Sequence, residues 1–492
     1  MEDNKKCDVK DAEDNGKQAH ITRRKLLTTA GAGALAVAAS ELVVAKSAGG
    51  DNSDSSKNTD ELDVIVVGGG FCGVTAAREL GKQGYKVTIL EARNRLGGRT
   101  FTANFGGNPT DMGGTWVNWL QPHVWSELHR YGVGVSETKG AAANPMIYLD
   151  YNGRRHETTA AEVWPSFEAA ASAFFEDAYG IMPRPAEPFA DDQWIKSDRF
   201  SVQEKLDAAD LSPVNRILLD TWFTLCGAAD LSEVSWVDML RWYALSGFTM
   251  TGQADAISRY KMKGGTKVLL EKIAEDSGAD IRLGVPIKSV RQAADYAEVT
   301  MKNGDKLKAK SVIITVPLNT LSDIDFSPRL SAKKREVSLE KHVGNGTKFH
   351  ALLDKEYPMA TMWAPGSDVP ISYLLWDKVF DGKTHVIGFG PSMDTLDVND
   401  TAAVQRAIRQ FIPDAKVDSA FGYQWGMDPY AKGVWGVSRP GQLSNAIGEL
   451  QASQGRIHFG SGDFANGWRG FIDGAIEQGI VTARKAQEQM KS

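Results

Sequence analysis

Cysteine is scarce, with three in 492 residues (Cys7, Cys72 and Cys226). That is too few, and too scattered, for a disulfide framework or a zinc cluster. The eight histidines form no HExxH and no His/Cys pair at ligand spacing, so no metal site is expected. Positive charge is not in excess either: 56 Lys and Arg stand against 62 Asp and Glu, a net charge of −6. This argues against a nucleic-acid partner. The remainder is ordinary for a globular chain, 42% hydrophobic and 24% charged. Collagen-like and disordered readings fail on composition. The length suggests more than one domain around an ample core.

Residues 1–20 are polar, and Thr22-Arg23-Arg24-Lys25-Leu26-Leu27 then opens a mildly apolar Ala/Gly run that ends at Ala39. Ala36-Val37-Ala38 and the stretch Ala45–Ala48 offer small-residue cleavage sites. Residues 1–48 therefore read as a twin-arginine signal, which predicts periplasmic export of an already folded protein, with some retained in the cytoplasm. A membrane anchor is the alternative, but Ser40 and Glu41 interrupt the run before the ~20 apolar residues that a span needs. Residues 49–60 are polar, rich in Gly and Ser, and read as a linker.

The first folded element is the β-branched run Leu62-Asp63-Val64-Ile65-Val66-Val67, of the kind that a buried parallel strand needs. It leads directly into Gly68-Gly69-Gly70-Phe71-Cys72-Gly73 and a helical stretch, Val74–Leu80. This is GxGxxG between a strand and a helix, the context that makes it a dinucleotide fingerprint. Gly68 allows the tight turn, Gly70 the approach of a pyrophosphate, and Gly73 the packing of helix on strand. A second strand, Lys86–Leu90, ends at Glu91, whose carboxylate can accept from a ribose hydroxyl. NAD and FAD share this pattern. Arg95-Leu96-Gly97-Gly98-Arg99 favours FAD, because bare backbone and fixed positive charge lie beside a second phosphate region.

Further strands follow at Ile281–Val290, at Val312–Pro317, and in a hairpin of Tyr296–Met301 with Asp305–Lys310 around Asn303-Gly304. Arg456–Asp463 adds a strand and a glycine turn ahead of a helix. The cofactor domain is thus assembled from separated pieces of chain. Helical spacing marks Ala160–Tyr179, Val214–Leu225 and Ser232–Ser246, with Trp236 and Trp242 in the last. Spacing alone does not separate plain core from pocket lining there.

VVGGGFCGVTAARE, LEARNRLGGRT, DMGGTWV and GRIHFGSGDFANGWRGFIDGAIEQG occur in this order between Asp63 and Gly479. Together they resemble the flavin-dependent amine oxidases. Trp116–Trp125 is most similar to bacterial members that break down nicotine. The resemblance implies an α/β fold: a Rossmann-like FAD-binding domain (61–120, 262–320 and 440–490) interleaved with an α+β substrate-binding domain (121–261 and 321–439). It implies cofactor contacts from Gly68, Gly70, Phe71, Gly73, Glu91, Ala92, Arg93, Gly98, Arg99, Gly114, Thr115, Trp116, Ile287, Asp463, Phe471 and Ile472. Asp463 and Ser461 stand where the family usually has Glu and Gly. Some members tether the flavin through a cysteine at the place of Val434, so dissociable, non-covalent FAD is expected here.

The chemistry that the resemblance implies is hydride transfer from the carbon beside nitrogen to flavin N5, followed by imine hydrolysis. Trp435 and Phe471 match the family's two aromatic cage positions, and such ring faces also favour a cationic amine. Lys348 matches a lysine that holds a water near the flavin. Tyr373, Asn118, Trp119 and Thr249 are candidate pocket walls, whereas His123 and His129 read as structural. The implied substrate is a pyridine-alkaloid amine, pseudooxynicotine ahead of nicotine, with polyamines and aromatic monoamines as alternatives. A non-catalytic flavoprotein is the rival from another class. Oxygen and a periplasmic electron carrier remain open as acceptor, and a homodimer is the family's implied assembly.

Overall fold

Both faces of the strand Leu62–Val67 are covered, which explains its unbroken apolar run. Val64 and Val66 enter one core, while Ile65 and Val67 enter another on the opposite face. The structure is a computed structural model and describes residues 62–142, 146–151 and 153–492. The signal and linker readings lie outside the described residues.

Leu62–Val67 is central in an eight-stranded sheet. It pairs in parallel with Val87–Leu90 on one side and with the strand Lys306–Ile314 on the other. Three helices cover one face: Phe71–Gly81, Lys267–Asp276 and the C-terminal Ile472–Lys491. Ile457–Phe459 joins the same sheet beside Ile314, so pieces far apart in sequence build one layer, as the motif order implies.

Three local readings change. Val312–Pro317 is not a separate strand, because Lys306–Ile314 runs from the Asn303-Gly304 hairpin into the central parallel pairing as one element. Ile281–Val290 is two strands, Asp280–Arg282 and Ile287–Gln292, parted at Gly284 (φ +69°) and Pro286, where neither residue suits a continuous ladder. Asp325–Ser327 falls in the expected substrate segment but pairs with Ser289–Arg291 of this first sheet.

The second sheet has seven strands, centred on Thr347–Leu353, Lys383–Gly390 and Tyr373–Phe380. Its alternation is equally clean. Phe349, Ala351, Leu374 and Val386 face a core shared with the helix Thr401–Ile408. Tyr373, Leu375, Ile387 and Phe389 face the helices Ala160–Phe174, Pro213–Gly227 and Trp236–Leu245. The expected helix Ala160–Tyr179 ends at Phe174, and a short helix, Ala178–Ile181, follows. No helix among the described residues is long and apolar enough to cross a membrane.

Gly73 is the tightest point of the first βα junction. A Cβ there would lie 1.9 Å from the carbonyl oxygen of Gly68, a backbone atom that cannot step aside. Gly73→Ala is expected to cost about 3 kcal/mol or more of native stability. The check is the denaturation midpoint, and an unchanged value would mean that helix and loop separate freely.

Candidate active site

The dinucleotide loop is held open by hydrogen bonds that leave its rim free. Gly68 takes φ +107°, and its N–H donates to Leu90 O at 2.8 Å. The Glu91 carboxylate accepts from Gly69 N at 2.7 Å and from Arg93 N at 2.8 Å. Gly97 N in turn donates to Gly69 O at 2.9 Å, so the second glycine loop is tied to the first. The helix Phe71–Gly81 starts without a side-chain cap and without an acid in its first turn. Its free N–H groups and partial positive charge therefore face a cavity edged by Gly70, Phe71 and Cys72.

That cavity has a volume of about 570 Å³. One end is polar and backbone-rich, lined by Gly68, Gly70, Glu91, Ala92, Arg93, Gly97, Gly98 and Arg99, with Ile287 beside them. The middle passes Gly114, Thr115, Trp116 and Lys348. The other end is apolar and aromatic: Trp222, Trp242, Tyr373, Phe389, Trp435 and Phe471. Bare glycine backbone at an uncapped helix start, followed by a carboxylate, fits a nucleotide pyrophosphate and ribose. The aromatic lining beyond it, Trp116, Trp435 and Phe471 among others, suits a further flat ring system. The residues present therefore fit FAD. Among the described residues, no group of three or more His, Cys, Asp or Glu is placed to hold a metal.

Arg99 lines the cavity and is braced from behind, donating to Val434 O at 2.8 Å and to Asp463 Oδ1 at 2.6 Å. Asp463 itself, expected at the cofactor, does not line the main cavity. Its other oxygen accepts from Leu318 N at 3.0 Å, so both oxygens are engaged in holding the wall. Arg95, read as a phosphate-side charge, turns onto its own loop. It donates to Leu96 O, Gly98 O and Thr100 O, and its guanidinium lies 4.5 Å from the centre of the Phe101 ring. Gly73 is likewise absent from the lining, since its role is the close approach of helix to loop.

Three candidate pocket walls stand elsewhere. Asn118 is buried and donates to Asp255 Oδ2 at 2.9 Å, a link between segments. Trp119 is 48% exposed and rests on Tyr260 and Trp125. Thr249 caps the helix Met250–Ser258 through Gly252 N. Sequence reasoning missed Trp222, Leu225, Cys226, Ile257, Ser258 and Phe389 as lining. Their helical or alternating spacing is identical to that of core residues, so no sequence signal separated them. Trp242, noted only for its period, meets Phe471 edge-on with ring centres 4.7 Å apart. Trp435 is held by its Nε1–H, which donates to Cys226 O at 2.8 Å. Burial raises the Cys72 and Cys226 thiols well above their usual range, so both line the cavity in neutral form.

Lys348 is the cavity's deepest cation. Its Nζ donates to Asp111 O at 2.8 Å, to Gly113 O at 2.9 Å and to Thr115 Oγ1. Burial pushes it down to about 7, against a pull upward from the Asp111 carboxylate. The site accommodates either charge state. As an amine, Nζ keeps two donated bonds and accepts the Thr115 hydroxyl, which otherwise turns to Gly113 O at 2.9 Å.

Comparison with known proteins places this geometry. The family model for flavin containing amine oxidoreductases matches residues 71–486, and the chain belongs to that family. Its cofactor is FAD. The chain is 37% identical to a pseudooxynicotine dehydrogenase of a Pseudomonas species, covering 96% of each protein. It is 32% identical to a nicotine dehydrogenase of Pseudomonas putida, covering 87% of this chain and 89% of that one. Among solved structures, a wild-type putrescine oxidase bound to putrescine superposes with a TM-score of 0.75 at 21% identity, covering 88% of this chain and 99% of that one, a likeness of fold.

The Lys348 ammonium has a measurable consequence for stability. Between about pH 7, where the folded protein releases this proton, and the ordinary lysine value of 10.5, the unfolded chain binds a proton that the folded chain does not. Stability contributed by this group therefore rises with pH across that window and is lowest below it. The stability of the wild type relative to Lys348→Met is expected to improve by on the order of a few kcal/mol from pH 7 to pH 10. A difference that stays flat with pH would contradict this.

Proposed function

We propose that this flavin-containing amine oxidoreductase oxidises a C–N bond of a pyridine-alkaloid amine, converting pseudooxynicotine to 4-oxo-4-(3-pyridyl)butanal and methylamine. The relatives named for pseudooxynicotine and nicotine support nicotine breakdown as the setting. The observation that carries the reading is the composition of the aromatic end. The acids lining the cavity are Glu91 and Asp323, and the cations are Arg93, Arg99, Lys302, Lys348 and Lys432. Glu91 is held by the amides of Gly69 and Arg93, and Asp323 is paired with Lys432, so neither acid is spare for a far ammonium. A polyamine needs carboxylates for its far ammonium, and an amino acid needs a guanidinium for its carboxylate. A flat, weakly polar ring carrying one amine needs neither.

FAD, when bound, supplies the acceptor for the hydride that leaves the carbon beside nitrogen. The chain's part is to bind, orient and dry the amine. Trp435 and Phe471 offer ring faces against which the amine-bearing carbon is positioned, and the rings around them exclude water. Lys348 Nζ, which burial brings down to about 7, is the group that holds or exchanges a proton in the middle of the cavity.

Anaerobic mixing of the holoenzyme with pseudooxynicotine is expected to bleach the flavin's visible absorption rapidly, with nicotine slower and putrescine inert. Trp435→Ala and Phe471→Ala are expected to lower the rate on the order of tenfold or more while FAD stays bound. Bleaching by putrescine, or unaltered rates in both variants, would overturn the reading. Readmitting oxygen then tells whether oxygen or a separate carrier is the acceptor.

Export by the twin-arginine route is part of the same proposal and rests on Arg23-Arg24 and the Ala/Gly run after them. N-terminal sequencing of periplasmic protein is expected to begin after Ala38 or Ala48. An uncleaved chain recovered with membranes would favour the anchor instead.

A further inference from the structure

Behind Lys348, away from the cavity, two histidines are buried side by side. His350 and His385 lie on neighbouring strands of the second sheet, each only 2% exposed, with ring centres 5.1 Å apart. Their nitrogens form a chain. His350 Nε2 is 3.1 Å from Asp111 O, His350 Nδ1 is 3.1 Å from His385 Nε2, and His385 Nδ1 is 2.9 Å from Asp377 Oδ2. The second Asp377 oxygen accepts from Lys261 Nζ.

Counting protons decides the state of this pair. Both ends of the chain, a carbonyl and a carboxylate, accept only, so each end nitrogen must carry hydrogen. If both rings were neutral, those two protons would leave His350 Nδ1 and His385 Nε2 with lone pair facing lone pair. A third proton gives every contact one hydrogen. We propose that His350 and His385 share one proton, that the pair thus carries a single buried positive charge beside Asp377, and that this charge adds to burial in favouring the neutral amine of Lys348 Nζ. The proton belongs to the pair, not to either ring.

Burial pushes both histidines and Lys348 downward, with Asp377 pulling His385 back up, so these groups compete for one buried proton. The Asp111 carboxylate receives Thr102 Oγ1, Thr266 N and Thr266 Oγ1, donors that suit its ionised form. Asp111 and Asp377 are negative, Lys261 and the histidine pair positive, and Lys378 lies at the half-buried edge. Within that edge the two carboxylates exceed Lys261 by one charge, so the inner cluster is neutral with one further proton, and a proton on the histidine pair and a proton on Lys348 disfavour one another. Both sides meet at one atom, since Asp111 O accepts from Lys348 Nζ and faces His350 Nε2. His350 and His385 are then positioning residues for Lys348.

Two readouts test this without reference to any amine substrate, so failure of the substrate reading is seen separately. In holoenzyme labelled with 15N-histidine, three of the four ring nitrogens of His350 and His385 are expected to carry hydrogen at pH 7.5. Two would overturn the shared proton. In 13C-lysine-labelled holoenzyme, with Lys348 assigned through Lys348→Met, the Lys348 Cε titration is expected to move up by about one pH unit in His385→Asn. A titration that stays in place, or moves down, would overturn the control of Lys348. The nitrogen count uses the wild-type protein and stands even where His385→Asn fails to fold.

Discussion

Asp111 is the residue on which the two halves of the molecule depend. Its carboxylate accepts from Thr266 at the start of the helix Lys267–Asp276, which covers the nucleotide sheet. Its carbonyl accepts from Lys348 and faces His350, both on a strand of the second sheet. Every one of these groups is buried, so each bond broken would leave a polar atom without water. One short hairpin, Thr102–Phe105 with Asn108–Asp111, thereby fixes the distance between the glycine loops and the second sheet. The cavity is the space that this distance leaves.

Its two ends follow from what each sheet contributes. The nucleotide end is made where parallel strands finish, and there the chain presents backbone amides and a helix start, which suit anionic groups. The far end lies against the second sheet and the helices packed on it, whose inward positions are large and aromatic. Polar groups there are few and neutral: the Cys226 thiol, Ser258 and the Tyr373 phenol, which burial holds above its usual range. Between the ends lies Lys348, whose ammonium burial brings down to about 7.

Much of the first half was legible in the residues. GxGxxG after Leu62–Val67, Glu91 at the end of the next strand, and Gly97-Gly98 before Arg99 are local patterns. Each reflects a short-range need: a turn, a close approach, a hydrogen-bond acceptor. Trp435, Phe471 and Lys348 were reached through motif resemblance, and all three line the cavity. The polar misplacements share one cause. Arg95, Asp463, Asn118 and Thr249 are polar residues near the right elements, and each is occupied in holding its own loop or a neighbouring segment.

Sequence alone determined the first two strands, the nucleotide loop and the dinucleotide class of cofactor, because these depend on short apolar runs and on glycines at fixed offsets. Tertiary structure decided the rest. Whether Trp222 or Phe389 lines a pocket or fills a core depends on which partner happens to be absent opposite it. Whether His350 and His385 meet depends on the register between strands that start 36 residues apart. Contacts across strands leave no period in the chain, so only folding brings that pair of rings, a carboxylate and Lys348 into one buried network.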